Sequence, residues 1–167
     1  MTNLALMKKE LHISVIKPLM EQGFTGKWPH FRRESGEHID LISFQINKYG
    51  NSFTVELSAI FPNHEDKNFA ICSGIPLTEI NVWHTNYRHR LKGMYGGWFY
   101  YSDVYCKRIS LLNKAYWCTN KRDFPVPKCW KLVQRFEPET ATLICHSVNQ
   151  QLVNGFKWLN TFVKKHS

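Results

Sequence analysis

Residues 38–61 read HIDLISFQINKYGNSFTVELSAIF, and this stretch decides the fold class. Apolar and polar residues alternate from position 53 onward, which predicts a β-strand with one buried face and one solvated face. Positions 38–47 alternate in the same way and predict a preceding strand. Gly50 and Asn51 between them tolerate the positive φ angles of a tight turn. On the predicted hairpin Glu56 is expected to be solvated, with a cross-strand pair to Lys or Arg as the alternative.

Helical patterns flank this stretch on both sides. Apolar residues between positions 4 and 19 recur at spacings of three and four, which predicts an N-terminal helix. Pro18 is expected to kink or end this helix, and Gly23 to terminate it. Apolar residues between positions 143 and 163 predict a C-terminal helix, in which Gly155 argues against one unbroken element.

The remaining patterns add strands to the sheet. We expect strands within 31–34, 87–91, 98–101 and 129–136, with a hairpin connection, rather than a phosphate-binding loop, across 92–97. No linker rich in Gly or Pro divides the 167 residues, so we expect one domain over 1–167. The predicted fold class is α+β. It has an N-terminal helix, an antiparallel sheet of about five to six strands in meander order, and a C-terminal helix packed on the same face of the sheet.

Positive charge is concentrated in one segment. The chain holds 22 basic and 13 acidic residues, a formal charge of +9. Residues 84–135 hold 11 basic residues against Asp103 and Asp123, so this segment accounts for the whole excess. The segment also holds 11 of the 24 aromatic residues. Interleaved cations and rings suit an acidic protein surface or a single-stranded nucleic acid, although core rings and solvated cations on strands would give the same composition.

The sequence lacks the motifs of the common catalytic and cofactor sites. It contains no P-loop, no dinucleotide fingerprint, no His-Glu-x-x-His and no Gly-x-Ser-x-Gly. The 5 cysteines include no Cys-x-x-Cys pair, so we expect no metal site and no cofactor, and scattered thiols are typical of a reducing cytoplasm. No apolar run has the length of a membrane span, and the N-terminus lacks the pattern of a secretory signal. These features favour a cytoplasmic binding protein over an enzyme.

Several short motifs resemble those of a bacterial family. The closer motifs are Gly23-Phe24, Phe31-Arg32-Arg33, Phe44-Gln45, Lys48-Tyr49-Gly50-Asn51 and Phe53-Thr54-Val55, and the looser ones are Arg88-His89-Arg90 and Trp98-Phe99. With these motifs the chain resembles the uncharacterised family called domain of unknown function 4304, best over 20–61 and more loosely over 84–101. Residues 103–135 look like additional material. The resemblance implies an α+β fold and a bacterial cytoplasmic setting, and it implies no established activity.

We therefore expect a non-enzymatic binding protein. Small α+β domains of this kind are often immunity proteins, so the leading hypothesis is a bacterial toxin-neutralising immunity protein that acts through protein–protein contact. Because the chain is basic, its protein partner would present an acidic face. The alternative is a nucleic-acid-binding module that uses the segment 84–135. No membrane partner is expected.

The candidate binding surface combines a polar edge near the turn with cations and a ring of the basic segment. Turn-building and sheet packing are the alternative roles of its polar residues. The candidate residues are Gln45, Lys48, Tyr49, Asn51, Arg88, Arg90, Trp98, Lys107, Arg108, Lys121 and Arg122.

Overall fold

The computed structural model describes most of the chain. Backbone and side chains are described for residues 2–62, 74–93, 97–103 and 135–166, and the backbone for 104–108, 115–119 and 131–134. In these residues helices come first and last along the chain, with the strands between them. No helix among them is long and apolar enough to cross a membrane.

The N-terminal helical region continues through its proline. It consists of α1 (Asn3–Leu11), a π-helical turn (His12–Ile16) and α2 (Lys17–Glu21), which follow one another without a break. Pro18 therefore does not end the helix, whereas Gly23, at φ +90°, terminates it as the sequence predicts. The C-terminal helix α3 (Pro138–His166) is a single element in spite of Gly155.

Six antiparallel strands form the main sheet, as the sequence predicts. They are β1 (Thr25–Lys27), β2 (His30–Ser35), β3 (His38–Ile46), β4 (Ser52–Ile60), β5 (His89–Arg90) and β6 (Phe99–Tyr100). β1 to β4 follow one another in meander order, and both β5 and β6 pair with β4. The predicted α+β fold, with a helix at each end of the chain, is confirmed.

β5 and β6 occupy the same edge of β4, one after the other. β5 lies opposite Glu56, and β6 lies opposite Phe53. Gly93 lies close to Trp98, since a Cβ at Gly93 would lie only 2.4 Å from the Trp98 carbonyl oxygen. The predicted hairpin across 92–97 is therefore wrong, because the two strands pair with β4 rather than with each other.

A second antiparallel sheet of three strands follows in the described residues. Its strands are β7 (Val104–Arg108), β8 (Ala115–Thr119) and β9 (Lys131–Gln134), and β7 is the middle strand. The sequence predicts β9, but it does not predict β7 and β8. Apolar and basic residues mix in that region without a steady period, so the alternation that marks a strand is missing.

The helices cover one face of the main sheet, which we call the helix face. Phe44 of β3 and Leu57 of β4 belong to the same buried cluster as Leu11 of α1 and Val148 of α3. Both helical regions therefore pack on the same face, as predicted. A Cβ at Gly155 would lie 3.1 Å from a methyl carbon of Leu57, so the glycine allows α3 to lie this close to β4.

The opposite side of the sheet, the outer face, carries the alternate residues of β3 and β4, such as Ser43 and Glu56. All nine residues of β4 are nevertheless buried. The prediction of a half-buried strand is wrong because the chain after position 74 folds back over the outer face. Ile80 and Val82 pack there in a cluster with Leu41.

Pro18 is accommodated by a hydrogen bond from α3. Proline has no N–H, so the carbonyl of Ser14, four positions earlier, loses its helical donor. The side-chain Nδ2 of Asn149 donates to that carbonyl over 2.8 Å. This bond ties the π-helical turn to α3.

Replacing Asn149 with Leu leaves the Ser14 carbonyl without this donor. We expect the free energy of unfolding to fall by about 1–2 kcal/mol, the usual cost of an unsatisfied polar group. Urea denaturation followed by tryptophan fluorescence measures the change. The control is Asn154→Leu on the exposed side of α3, which should change stability by less than about 0.5 kcal/mol. Equal losses in the two variants would contradict the role of Asn149.

Candidate functional site

Four polar side chains form a row across the outer face of the main sheet. His30 pairs with Ser43, Ser43 with Glu56, and Glu56 with Arg90, each on the neighbouring strand. Directly paired residues of antiparallel strands share a face, so the row crosses β2, β3, β4 and β5 on one side of the sheet. The register thus brings together residues from four segments of the chain.

Glu56 is a buried carboxylate in this row, with 4% of its surface exposed. Arg90 donates from Nε to Oε1 at 2.9 Å and places Nη2 2.8 Å from the same oxygen. Arg88 approaches the other oxygen, Oε2, with Nη1 at 3.7 Å. The expectation of a solvated Glu56 is wrong, and the alternative, a cross-strand pair with Arg, is confirmed. A buried carboxylate without such a partner is strongly destabilising, so the ion pair is a requirement of this packing.

The two arginines remain partly in water. About two fifths of each side chain is exposed, 43% for Arg88 and 42% for Arg90. With Gln45, Glu56 and Trp83 they line a cleft of about 350 Å³, which we call the arginine cleft. Trp98 lies beside it, with its ring centre 5.9 Å from the guanidinium carbon of Arg90. The outer face thus presents cationic hydrogen-bond donors next to indole rings.

Trp83 reaches the arginine cleft from a short 3₁₀-helix, Val82–His84. The side-chain oxygen of Asn81 accepts the backbone N–H of Trp83 at 3.0 Å and caps this helix. The Trp83 ring meets the His30 ring edge-on, with 4.5 Å between the ring centres. The Trp83 ring, which forms part of the cleft wall, is therefore packed against His30 of the polar row.

His30 and Ser43 form a hydrogen-bonded pair, with His30 Nδ1 2.8 Å from Ser43 Oγ. Burial, and then the neighbouring His84, lowers the pKa of His30 from its ordinary value of 6.5. A neutral imidazole beside a hydroxyl is the arrangement that activates a serine nucleophile. Ser43, however, is only 1% exposed, so the pair joins β2 to β3 below the surface instead of facing a substrate.

Comparison with known families identifies the chain. A family model described as Domain of unknown function (DUF4304) matches residues 15–118, more than half of the chain. The chain belongs to the DUF4304 family. Comparison with curated proteins and with solved structures found no match. The family match extends through β7 and most of β8, so the interpretation of all of 103–135 as additional material is wrong.

The DUF4304 fold brings four of the predicted surface residues together. Gln45, Arg88 and Arg90 line the arginine cleft, and Trp98 lies beside it. All four lie within the range that the family model matches. Strand pairing explains their proximity. β3, which carries Gln45, and β5, which carries Arg90, lie on the two sides of β4, and β6 pairs with β4 as well.

Lys48, Tyr49 and Asn51 lie in the turn between β3 and β4, away from this cleft. Asn47 organises the turn: its Oδ1 accepts the backbone N–H of Tyr49 at 3.0 Å, and its Nδ2 donates to Asn51 Oδ1 at 2.6 Å. The Lys48 ammonium lies 4.9 Å from the centre of the Tyr49 ring. Tyr49 and Asn51 line a different cleft of about 500 Å³ together with Tyr101. The contacts of Asn51 are those of the alternative role, turn-building.

Two of the four remaining candidate residues belong to the second sheet. Lys107 and Arg108 belong to β7, for which the backbone is described. Lys121 and Arg122 lie outside the described residues.

Sequence reasoning missed Trp83, His30 and Ser43. Trp83 lies in an irregular segment in which no periodicity marks a structural role. The one local signal is Asn81 two positions earlier, since Asn often caps a helical turn. The partnership of His30 with Ser43 depends on the register of β2 and β3, which alternation alone does not assign.

The described residues include one further reactive side chain, the thiol of Cys145. No group of three or more His, Cys, Asp or Glu side chains that could hold a metal occurs among the described residues. Cys145 is buried, and burial, followed by the nearby Glu10, raises its pKa to about 12. Such a thiol stays protonated at neutral pH and is no nucleophile. It packs in the core between the helices and the sheet.

In the arginine cleft the carboxylate of Glu56 is buried, whereas the guanidinium of Arg90 is partly exposed to water. Arg90→Met removes the main partner of the buried Glu56 carboxylate, and we expect a loss of about 3 kcal/mol in the free energy of unfolding. Glu56→Gln leaves guanidinium groups that water can still solvate, so its loss should be about 1 kcal/mol. Chemical denaturation at neutral pH compares the two. A larger loss of unfolding free energy for Glu56→Gln than for Arg90→Met would contradict this prediction.

Lowering the pH should decrease the stability of the folded protein, in part through His30. Its pKa is lower in the folded protein than the ordinary 6.5, so the unfolded chain takes up the proton first as the pH falls. The stability contributed by His30 is therefore complete above pH 6.5 and is lost as the pH falls through the folded-state value. His30→Gln should reduce the difference in urea midpoint between about pH 7.5 and pH 5. His89, whose pKa is lowered by burial and then by Lys92, accounts for part of the loss that remains. An unchanged pH dependence in His30→Gln would contradict the role of His30.

Proposed function

We propose that this DUF4304 chain is a non-enzymatic binding protein that recognises an acidic face of a protein partner through the arginine cleft. In its most specific form it is a bacterial immunity protein that neutralises a toxin in the cytoplasm by direct contact. One observation carries the proposal. Arg88 and Arg90 stand partly exposed around a buried carboxylate, beside Trp83 and Trp98.

The composition of this patch is typical of an interface hot spot. Arg and Trp are enriched among the few residues that contribute most of the binding energy in protein complexes. Contact with Glu56 and Trp98 restrains the Arg90 guanidinium in advance, so less side-chain entropy is lost on binding. The net charge of +9 raises the encounter rate with an acidic partner.

A nucleic-acid-binding module that uses residues 84–135 is the second candidate function. The observation that favours it is the contact between the Arg90 guanidinium and the Trp98 ring, since single-strand binders combine cations with stacking rings. Tight binding of a strand, however, requires several cations for successive phosphates. In the arginine cleft two guanidinium groups share one carboxylate, which leaves a single net positive charge.

The proposal is tested with matched variants of the full chain. Arg88→Gln and Trp83→Ala alter exposed side chains of the cleft, and each should weaken binding of a purified acidic partner by about 10-fold or more in calorimetry. Lys157→Gln is the control: it makes the same charge change on the exposed surface of α3, on the other side of the sheet. The partner is obtained by capture from a lysate of the source organism. Expression of the partner alone should slow the growth of the host cells. Co-expression of the unaltered chain should restore growth, whereas co-expression of the Arg88→Gln variant should not.

Two outcomes would overturn this proposal. Binding that is equally strong in Arg88→Gln, Trp83→Ala and Lys157→Gln would place the interface elsewhere. A mobility shift with single-stranded RNA or DNA, weakening steeply as salt is raised, would favour the nucleic-acid function.

A further inference from the structure

The arginine cleft contains more hydrogen-bond donors than acceptors. Arg90 directs both Nε and Nη2 to one oxygen of Glu56, and within the described ranges the one cation near the other oxygen is Arg88, at 3.7 Å. Among the described residues the guanidinium of Arg88 makes no hydrogen bond, and neither do the side chains of Gln45 and Trp83. Gln45, Trp83 and Arg88, from three segments, thus line the cleft with side chains whose N–H groups have no hydrogen-bond acceptor in the part of the chain that the structure describes.

We propose that the cleft binds one carboxylate group, carried by an Asp or Glu side chain of the acidic partner, with Arg88 as the recognising residue. This inference rests on the proposed function and names the group that the site takes. The planar fork of a guanidinium matches the two oxygens of a carboxylate, and such bonds are shorter and stronger than neutral ones. Gln45 and Trp83 supply further N–H donors along the walls of the cleft.

The charges of the cleft select a singly charged ligand. Arg88 and Arg90 carry two positive charges and Glu56 one negative charge, so one carboxylate brings the total to zero. A phosphomonoester carries about 1.5 to 2 negative charges at neutral pH and would leave an excess of negative charge beside Glu56. Because Glu56 is buried in β4, it cannot turn out to water to relieve that repulsion.

The two arginines have different tasks in this site. Arg90 is bound closely to Glu56 and stabilises the buried charge. Arg88 makes the longer contact with Glu56, and its exposed side chain can turn toward a ligand while Arg90 keeps Glu56 neutralised. Arg88 can therefore be altered without leaving the buried carboxylate unpaired.

NMR titration of the full chain tests the inference. The probe is N-acetyl-glutamate N-methylamide at constant ionic strength, and the signals are the Arg88 Nε–H and the Trp83 indole N–H. We expect saturable shifts with a roughly millimolar Kd, as befits a single charged contact in water. The neutral N-acetyl-glutamine N-methylamide and inorganic phosphate should each bind at least about 10-fold more weakly.

Variants at position 88 assign the shifts to the cleft. Arg88→Gln should weaken probe binding by about 10-fold. Arg88→Lys keeps the charge near Glu56 but loses the fork, so it should bind with intermediate affinity while retaining the fold. Lys157→Gln should bind as the unaltered chain does. Equal shifts from the glutamine analogue or from phosphate, or no saturable shift, would overturn the inference.

The result is separable from the test of the proposed function. A partner that depends on Arg88, together with a glutamate probe that does not bind, would refute the carboxylate site and leave the binding function standing. A probe that binds at Arg88, together with a partner indifferent to Arg88→Gln, would refute the function and leave the site standing.

Discussion

The outer face of this protein depends on the buried carboxylate of Glu56. β4 is enclosed on both sides, so the charge at its centre has to be neutralised within the protein. Arg90 does this because β5 pairs with β4 in the one register that places Arg90 opposite Glu56. The same register positions Arg88, and the chain that returns as β6 brings Trp98 beside Arg90. The requirement to neutralise one buried group thus assembles the candidate site.

The helix face contains another buried carboxylate, that of Asp40. The exposure of its arginine partner differs from that of the arginines around Glu56. Arg33 bonds to Asp40 through Nε at 3.0 Å and Nη2 at 2.7 Å. Its guanidinium carbon lies 4.7 Å from the ring centre of Phe24, in the connection between α2 and β1, and 5.8 Å from that of Phe156 in α3. The side chain of Arg33 is 27% exposed, whereas those of Arg88 and Arg90 around Glu56 are 43% and 42% exposed. An arginine–carboxylate pair is therefore less accessible to water on the helix face than on the outer face.

Alternation predicted the hairpin of β3 and β4 correctly, and it failed where a third layer intervened. The polar residues Thr54, Glu56 and Ser58 read as a wet face, yet the chain after position 74 covers them. Pro18 shows the same limit, since a local rule predicts a kink or an end of the helix, whereas the helical region continues and Asn149, more than a hundred positions away, donates to the Ser14 carbonyl. Of the eleven candidate surface residues, Gln45, Arg88, Arg90 and Trp98 lie at the arginine cleft, while Trp83 was missed because its segment has no period.

The amino-acid sequence alone determined the fold class, the order of helices and strands around β3 and β4, and the segment that carries the positive charge. These follow from local periodicity and composition, which each stretch of chain contains by itself. The tertiary structure alone decided that Glu56 is buried, that Arg88 and Arg90 meet it, and that Lys48 and Asn51 do not line the same cleft. The physical reason is that burial and register depend on which segments pack together. A strand has the same alternating sequence of apolar and polar residues whether water or another part of the chain covers its polar face.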